Sequence, residues 1–151
     1  MSDLSRALLQ AGLIQFGWYA PDDRPYRLHL HMLPSYPMIL RQAAEAGADA
    51  VQGVDRLLAT ADSVPLGVVL SLVTGVPLVY SQGTGAAAVH DLVGAYDIGH
   101  PALLVTNQIS AENHIADLVA GARHVGLMVD RTLALVMCSM PPISETLSVS
   151  G

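Results

Sequence analysis

From residue 49 onward the sequence alternates short apolar runs with helix-like segments, and each run is closed by a glycine, a proline or a small polar residue. "ADAVQGV" reads as a short buried strand and "SVPLGVVLSLVTG" as a helix closed by Gly75. "VPLVYS" reads as a second strand, followed by the small-residue loop "QGTGAAA". "PALLVTN" is a third strand, after which Ser110 caps the helix "AENHIADLVAGA". "HVGLMVD" is a fourth strand and "LALVMC" a fifth. A parallel pair of strands needs a crossover, and the crossover is usually a helix. The alternation therefore predicts an α/β fold with a parallel sheet and helices on its faces. Ligands of such folds sit at the carboxyl ends of the strands. That rule predicts one crevice around residues 53–55, 81–85, 106–110 and 130–131, with Asp55, Ser81, Thr106, Asn107, Ser110, Asp130 and Arg131 on its rim.

The first third of the chain follows another pattern. "SDLSRALLQA" predicts an opening helix capped by Ser2 and ended by Gly12. "LIQFGWY" and "YRLHLHM" read as strands joined by the turn "APDDRP", with Gly17 interrupting the first. Ser35 is expected to cap a helix over "YPMILRQAAEAG", with Pro37 in its first turn and Gly47 at its end. The whole reads as a single domain: an N-terminal helix and hood strands over 1–33, an α/β core over 34–140, and a tail over 141–151.

Composition narrows the function. Charged residues make up only 13% of the 151-residue chain against 52% apolar; so thin a charged surface predicts that apolar surface is covered by a partner, most simply in a homodimer. All seven basic residues are arginine, the net charge is −6, and no basic cluster is visible. Phosphate-neutralising recognition of nucleic acid is not expected. No lysine is present, so Schiff-base and P-loop lysine chemistry is excluded. The apolar runs are too interrupted for a membrane span. The opening residues lack the basic region of a secretory signal, and the single Cys138 permits no internal disulfide; both favour the cytoplasm.

Read in order, "LLQAGLIQFG", "PYRLHLHMLPSYPMILRQ", "VQGV", "VPLVYSQGTG", "LVGAYDIGHPALLVTNQIS" and "GLMVDR" resemble an orotate phosphoribosyltransferase, a type I phosphoribosyltransferase, over nearly the whole chain. The resemblance implies a phosphoribosyltransferase-like, Rossmann-like core with a small hood. It also implies a phosphoribosyl pyrophosphate motif in which two adjacent acids hold the ribose hydroxyls near magnesium, and a Thr- and Gly-rich turn wraps the 5′-phosphate.

Against that pattern this chain departs in three places. The two acids fall on Thr106 and Asn107, and the turn on Ser110, Ala111, Glu112, Asn113 and His114. Carboxylates and glycines are both gone, and Glu112 sets negative charge where a dianion would lie, a repulsion of roughly 1–4 kcal/mol at ~4 Å. The lysine-rich catalytic loop becomes "SQGTGAAAVHD", and the hood lysine that contacts orotate falls on Gln15, beside Phe16, Trp18 and Tyr19. Asp55, followed by Arg56, occupies the position implied for the pyrophosphate loop, again with the wrong sign.

The expected function is accordingly that of a transferase fold without transferase chemistry: a regulatory or partner subunit, alone as a homodimer or with a pyrimidine-pathway enzyme, or a binder of nucleobase- or nucleoside-type molecules. In the latter case a neutral to acidic crevice, between residues 16–19 and 106–110, would hold an uncharged or cationic ligand. The alternative is an active orotate phosphoribosyltransferase whose missing groups come from a partner chain. No cofactor is expected, magnesium entering only with residual transferase activity.

Other motifs weigh less. "GTGAAA" matches a dinucleotide fingerprint, but the strand that should end in a ribose-binding acid ends in Thr106 and Asn107. "HLH" places His29 and His31 on one strand face, where a polar or interface role fits better than zinc, since Cys138, His90, His100, His114 and His124 show no ligand spacing. No catalytic residue is assigned: Ser81, Thr84 and Ser110 lack a histidine–acid partner at recognisable spacing.

Overall fold

The computed structural model describes residues 1–19, 24–83, 92–110 and 115–138. Among these, helix α1 (Asp3–Gln10) begins at the expected cap: Ser5 N donates to Ser2 Oγ at 3.1 Å, satisfying a first-turn N–H that has no partner within the helix. β1 (Ile14–Tyr19) and β2 (Arg24–Leu28) form the hood, an antiparallel pair with Gln15 opposite Arg27 and Phe16 opposite Tyr26. The second hood strand stops earlier than expected. Leu30–Ser35 winds into a 3₁₀ turn that buries Leu30 and Leu33, whose spacing of three is the period of that helix. His29 and His31 therefore do not share a strand face, although their rings still meet edge-on, 6.0 Å between centroids.

α2 (Pro37–Gly47) starts with Pro37 in its first turn; its N-cap is Tyr36, not Ser35, with no side-chain capping bond. The largest correction follows. The segment expected to be the first core strand is a 3₁₀ turn over Ala48–Val51, and the chain then reverses at Gly53, whose φ of 78° suits glycine. The strand itself, β3 (Arg56–Ala59), comes after it, with Leu57, Leu58 and Ala59 fully buried.

α3 (Val64–Thr74) is closed by Gly75 in the left-handed conformation. It lies so close to the sheet that a Cβ on Gly67 would sit 2.9 Å from Leu78 Cδ1 and 3.0 Å from Ala59 Cβ. β4 (Leu78–Ser81), β5 (Leu92–Val93), β6 (Pro101–Ile109), α4 (Ile115–His124) and β7 (Met128–Met137) complete the described elements.

The sheet order is β5-β4-β3-β6-β7, with β4, β3, β6 and β7 parallel and β5 antiparallel at the edge. The expected fourth and fifth strands are one strand. Ala102 pairs with Val129 and Leu103 with Arg131, so Asp130 is an extra residue absorbed in a bulge. One face of the sheet packs through Leu57, Leu103 and Val105 against α1, α2, α3 and the Leu30–Ser35 turn; the other packs through Leu58, Val79 and Leu104 against Leu118 and Ala122 of α4. The expectation of an α/β, mostly parallel sheet under a small N-terminal hood is met. No helix among the described residues is long and apolar enough to cross a membrane.

Candidate functional site

Two strand ends meet at the carboxyl edge of the sheet. β3 ends at Ala59 and gives way through Thr60 to a 3₁₀ turn over Ala61–Ser63, while beside it β6 runs on through Thr106 and Asn107 to Ile109. Thr60, Ser63, Thr106 and Asn107 are all buried there.

Their polar atoms bond to one another. Thr60 Oγ1 lies 2.6 Å from Asp62 Oδ1 and 2.7 Å from Ser63 Oγ, and Asn107 N donates to Ser63 Oγ at 2.8 Å. A hydroxyl has one proton to donate. Asn107 N–H donates to Ser63 Oγ, and the Thr60 and Ser63 hydroxyls donate within their own group, whose charged acceptor is Asp62 Oδ1, 2.6 Å from Thr60 Oγ1 and 3.3 Å from Ser63 Oγ. Thr106 Oγ1 donates to Gln108 O at 3.0 Å, and Asn107 Nδ2 to Asp62 O at 3.1 Å. Every hydroxyl proton of the cluster is thus engaged within the protein. Asn107 Oδ1 is the exception of opposite kind, a buried acceptor with no donor among the described residues.

Between the hood and the ends of β6 and β7 lies a cavity of about 320 Å³, whose described lining does not include Thr60, Asp62, Ser63, Thr106 or Asn107. Arg24, Arg27 and His29 line it from β2 and the residue after it; Gln108 and Ser110 line it from the end of β6, and Cys138 from just beyond β7. Cys138 N donates to Ile109 O at 3.0 Å, which ties the two strand ends together.

The sequence-derived candidates divide into those that reach this region and those that do not. Thr106, Asn107 and Ser110 lie here. Ser81 is buried at the end of β4, where its hydroxyl donates to Gly83 O at 3.1 Å. Gln15 sits on β1 opposite Arg27, while Phe16 and Trp18 are 72% and 76% exposed and are not among the cavity's lining residues.

Asp55, Asp130 and Arg131 belong to the opposite end of the sheet. Asp55 N donates to Pro101 O at the start of β6 and Arg131 Nη2 to Gln52 O, both at 2.8 Å; Arg131 Nε also lies 3.8 Å from Asp130 Oδ1, with both side chains well exposed. The misplacement follows from that of β3: with the strand at 56–59, Asp55 precedes it, and the acid that follows it into the crevice is Asp62. Asp62, Thr60 and Ser63 were missed for this reason, as was the cationic wall of the hood. Ala111, Glu112, Asn113 and His114, together with Thr84, His90, most of the "GTGAAA" loop, residues 20–23 and the tail, lie outside the described residues.

Magnesium with a phosphorylated sugar asks for one or two free carboxylates beside the phosphates. The floor offers a threonine, an asparagine amide and one carboxylate already accepting from Thr60, a set that does not fit such a site. No cluster of three or more potential metal ligands occurs among the described residues.

No protein-family model matches the sequence, and no curated protein matches it either. Solved structures do match. UMP synthase of Leishmania donovani superposes with a TM-score of 0.74 at 21% identity, over 89% of this chain and 36% of that one. An orotate phosphoribosyltransferase of Francisella tularensis gives 0.66 at 16% identity, covering 90% of this chain and 86% of that one. A phosphoribosyltransferase of Corynebacterium diphtheriae gives 0.71 at 13% identity, with 93% and 86% covered. This chain is similar to a domain-sized part of the first, about a third of its length, and to most of the other two. It has the type I phosphoribosyltransferase fold. Shared architecture at these identities extends to the scaffold, and the chemistry has to be read from the site.

Proposed function

We propose that this chain is a phosphoribosyltransferase-fold protein that has given up phosphoribosyl transfer and serves as a regulatory or partner subunit. One observation carries the reading: at the ends of β3 and β6 the hydroxyls of Thr60, Ser63 and Thr106 donate to acceptors of the protein itself, and the charged group beside Thr60 and Ser63 is the carboxylate of Asp62. A phosphorylated sugar needs donors and cations at such a place, and needs them preorganised in the transition state. The absence of lysine from the chain supports the same reading. An assay with orotate, phosphoribosyl pyrophosphate and magnesium tests it. Turnover above about 1 s⁻¹, the lower end of ordinary enzymatic rates, would refute it. Turnover appearing only when a pyrimidine-pathway enzyme is added would favour the alternative of groups supplied in trans.

The partner role draws support from a separate place. An apolar groove of about 610 Å³ runs between α2 and α3, flanked by Met38 and Leu72, which are 76% and 80% exposed. Apolar side chains grouped in this way favour burial against another chain, in a homodimer or against a pathway enzyme. Leu72→Asp is expected to lower the mass found by light scattering; an unchanged mass removes this face from the interface.

A second reading, of a small-molecule binder, is favoured by Asn107 Oδ1. A buried acceptor with no donor among the described residues suits the N–H of a nucleobase or nucleoside. Such molecules should raise the melting temperature, and phosphorylated sugars should not.

A further inference from the structure

We propose that the outer edge of β7 pairs with the same edge of a second copy of this chain, antiparallel about a two-fold axis, so that two sheets become one. None of its residues is among those lining the α2–α3 groove. A strand at the edge of a sheet leaves a row of backbone N–H and C=O groups unpaired. The two edges of this sheet differ. β5, at one end, is two residues long. β7, at the other, runs for ten residues, and no described strand pairs with its outer side. Proteins blunt such an edge with charge, proline or a bulge. The charged residues of β7, Asp130 and Arg131, and its bulge all lie near its start. Residues 132–137 carry neither charge nor proline and are half-buried or exposed.

The strand is complementary to itself. With Asp130 set aside in the bulge, nine of its ten residues stay in the ladder, and Leu133 is the middle one. Two copies related by a two-fold axis at Leu133 therefore pair from end to end. Met128 lies opposite Met137 of the partner subunit, and Val129 opposite Val136 of the partner subunit. Met128 and Met137 are 59% and 72% exposed in the single chain, and in this register they cover each other. Directly opposed side chains of this kind are the unit of sheet stabilisation. Charge fits the same occupant. A net charge of −6 sets copies of the chain against one another in general. Here Arg131 faces Leu135 of the partner subunit and Asp130 stands outside the ladder, so no like charges are opposed. Each copy has one long edge to give, and the pairing closes at two chains.

Opposed residues of an antiparallel pair have Cα atoms about 4.5–5.5 Å apart, within the roughly 4.4–6.8 Å that a disulfide spans. The test uses the full chain with C138S, which removes its single thiol, and adds M128C together with M137C. Within one chain these positions lie about 30 Å apart along β7, so a bond between them joins two copies. On oxidation the double variant gives a covalent dimer and nothing longer, about tenfold more of it than either single variant, whose thiol faces a methionine. L72D leaves that yield unchanged. No covalent dimer, equal yields from M128C or M137C alone, longer covalent chains, or loss of the bond with L72D would each overturn the proposal. Should the thiol variants fail to fold, charge reads the same register by light scattering in the L72D chain, which isolates this contact. M128K with M137K opposes like charges and raises the dimer's dissociation constant about tenfold, whereas M128K with M137E pairs opposite charges and keeps it. Equal effects of the two overturn the pairing.

Discussion

The floor and the hood are built in opposite ways. The floor is made of buried hydroxyls, an amide and an exposed carboxylate that bond to one another across 44 residues of sequence, from Ser63 to Asn107. The hood is a two-stranded hairpin whose Arg24 and Arg27 are exposed. Burial explains the contrast. A polar group enclosed by protein has to find its partner within the protein, so the floor's chemistry is used in holding strand ends together. The contrast is between side chains enclosed by the sheet and side chains exposed on the hood.

The largest break in that contrast comes from adding charge to the floor. Asn107 is 5% exposed, and its amide donates to the backbone of Asp62. Asn107→Asp removes that donor and places a second carboxylate near the first. An uncompensated buried charge costs about 3–5 kcal/mol, to be read by urea denaturation at neutral pH. The loss depends on the ionised form, so part of the stability returns as pH falls toward about 4, where the new carboxyl protonates. A loss independent of pH would mean that the floor is wetter than its burial implies.

Ser63→Ala should cost less. Ser63 is fully buried, and its oxygen accepts the backbone N–H of Asn107. Removing it leaves that N–H unsatisfied, at about 1–3 kcal/mol. A change near zero would show that the hydroxyl chain contributes nothing to joining β3 and β6.

How much of this was legible in the sequence depends on whether the signal was local. The Ser2 cap, Pro37 in the first turn of α2 and Gly75 at the end of α3 are each decided within a few residues, and each was read correctly. β3 was not, because four residues show no periodicity and its first is charged. Arg56 is accommodated by contacts the sequence does not announce: its Nε donates to Ala95 O at 2.7 Å, 39 residues away, and its Nη1 to the carbonyl of Asp55 at 2.6 Å. Asp130 misled in the same way, since a bulge lets β7 pass through a charged pair that reads as a strand end. Every site residue tied to those two boundaries moved with them: Asp55, Asp130 and Arg131 left the crevice, and Asp62 entered it. The cations of β2 were in plain view, but only the pairing of the hood and its closeness to the end of β6 bring Arg24 and Arg27 into one cavity.

The smallest expected effect sharpens the contrast most. Arg24 and Arg27 are exposed, and side chains at such places usually shift stability by no more than about 0.5 kcal/mol when replaced. Arg24→Gln with Arg27→Gln should therefore leave the urea midpoint almost unmoved. The floor variants are expected to behave in reverse, with a clear loss of stability. If the arginine variant instead unfolds as readily as Asn107→Asp, then the hood's charges brace the fold as the floor's hydroxyls do. The two walls would then differ in charge and not in purpose.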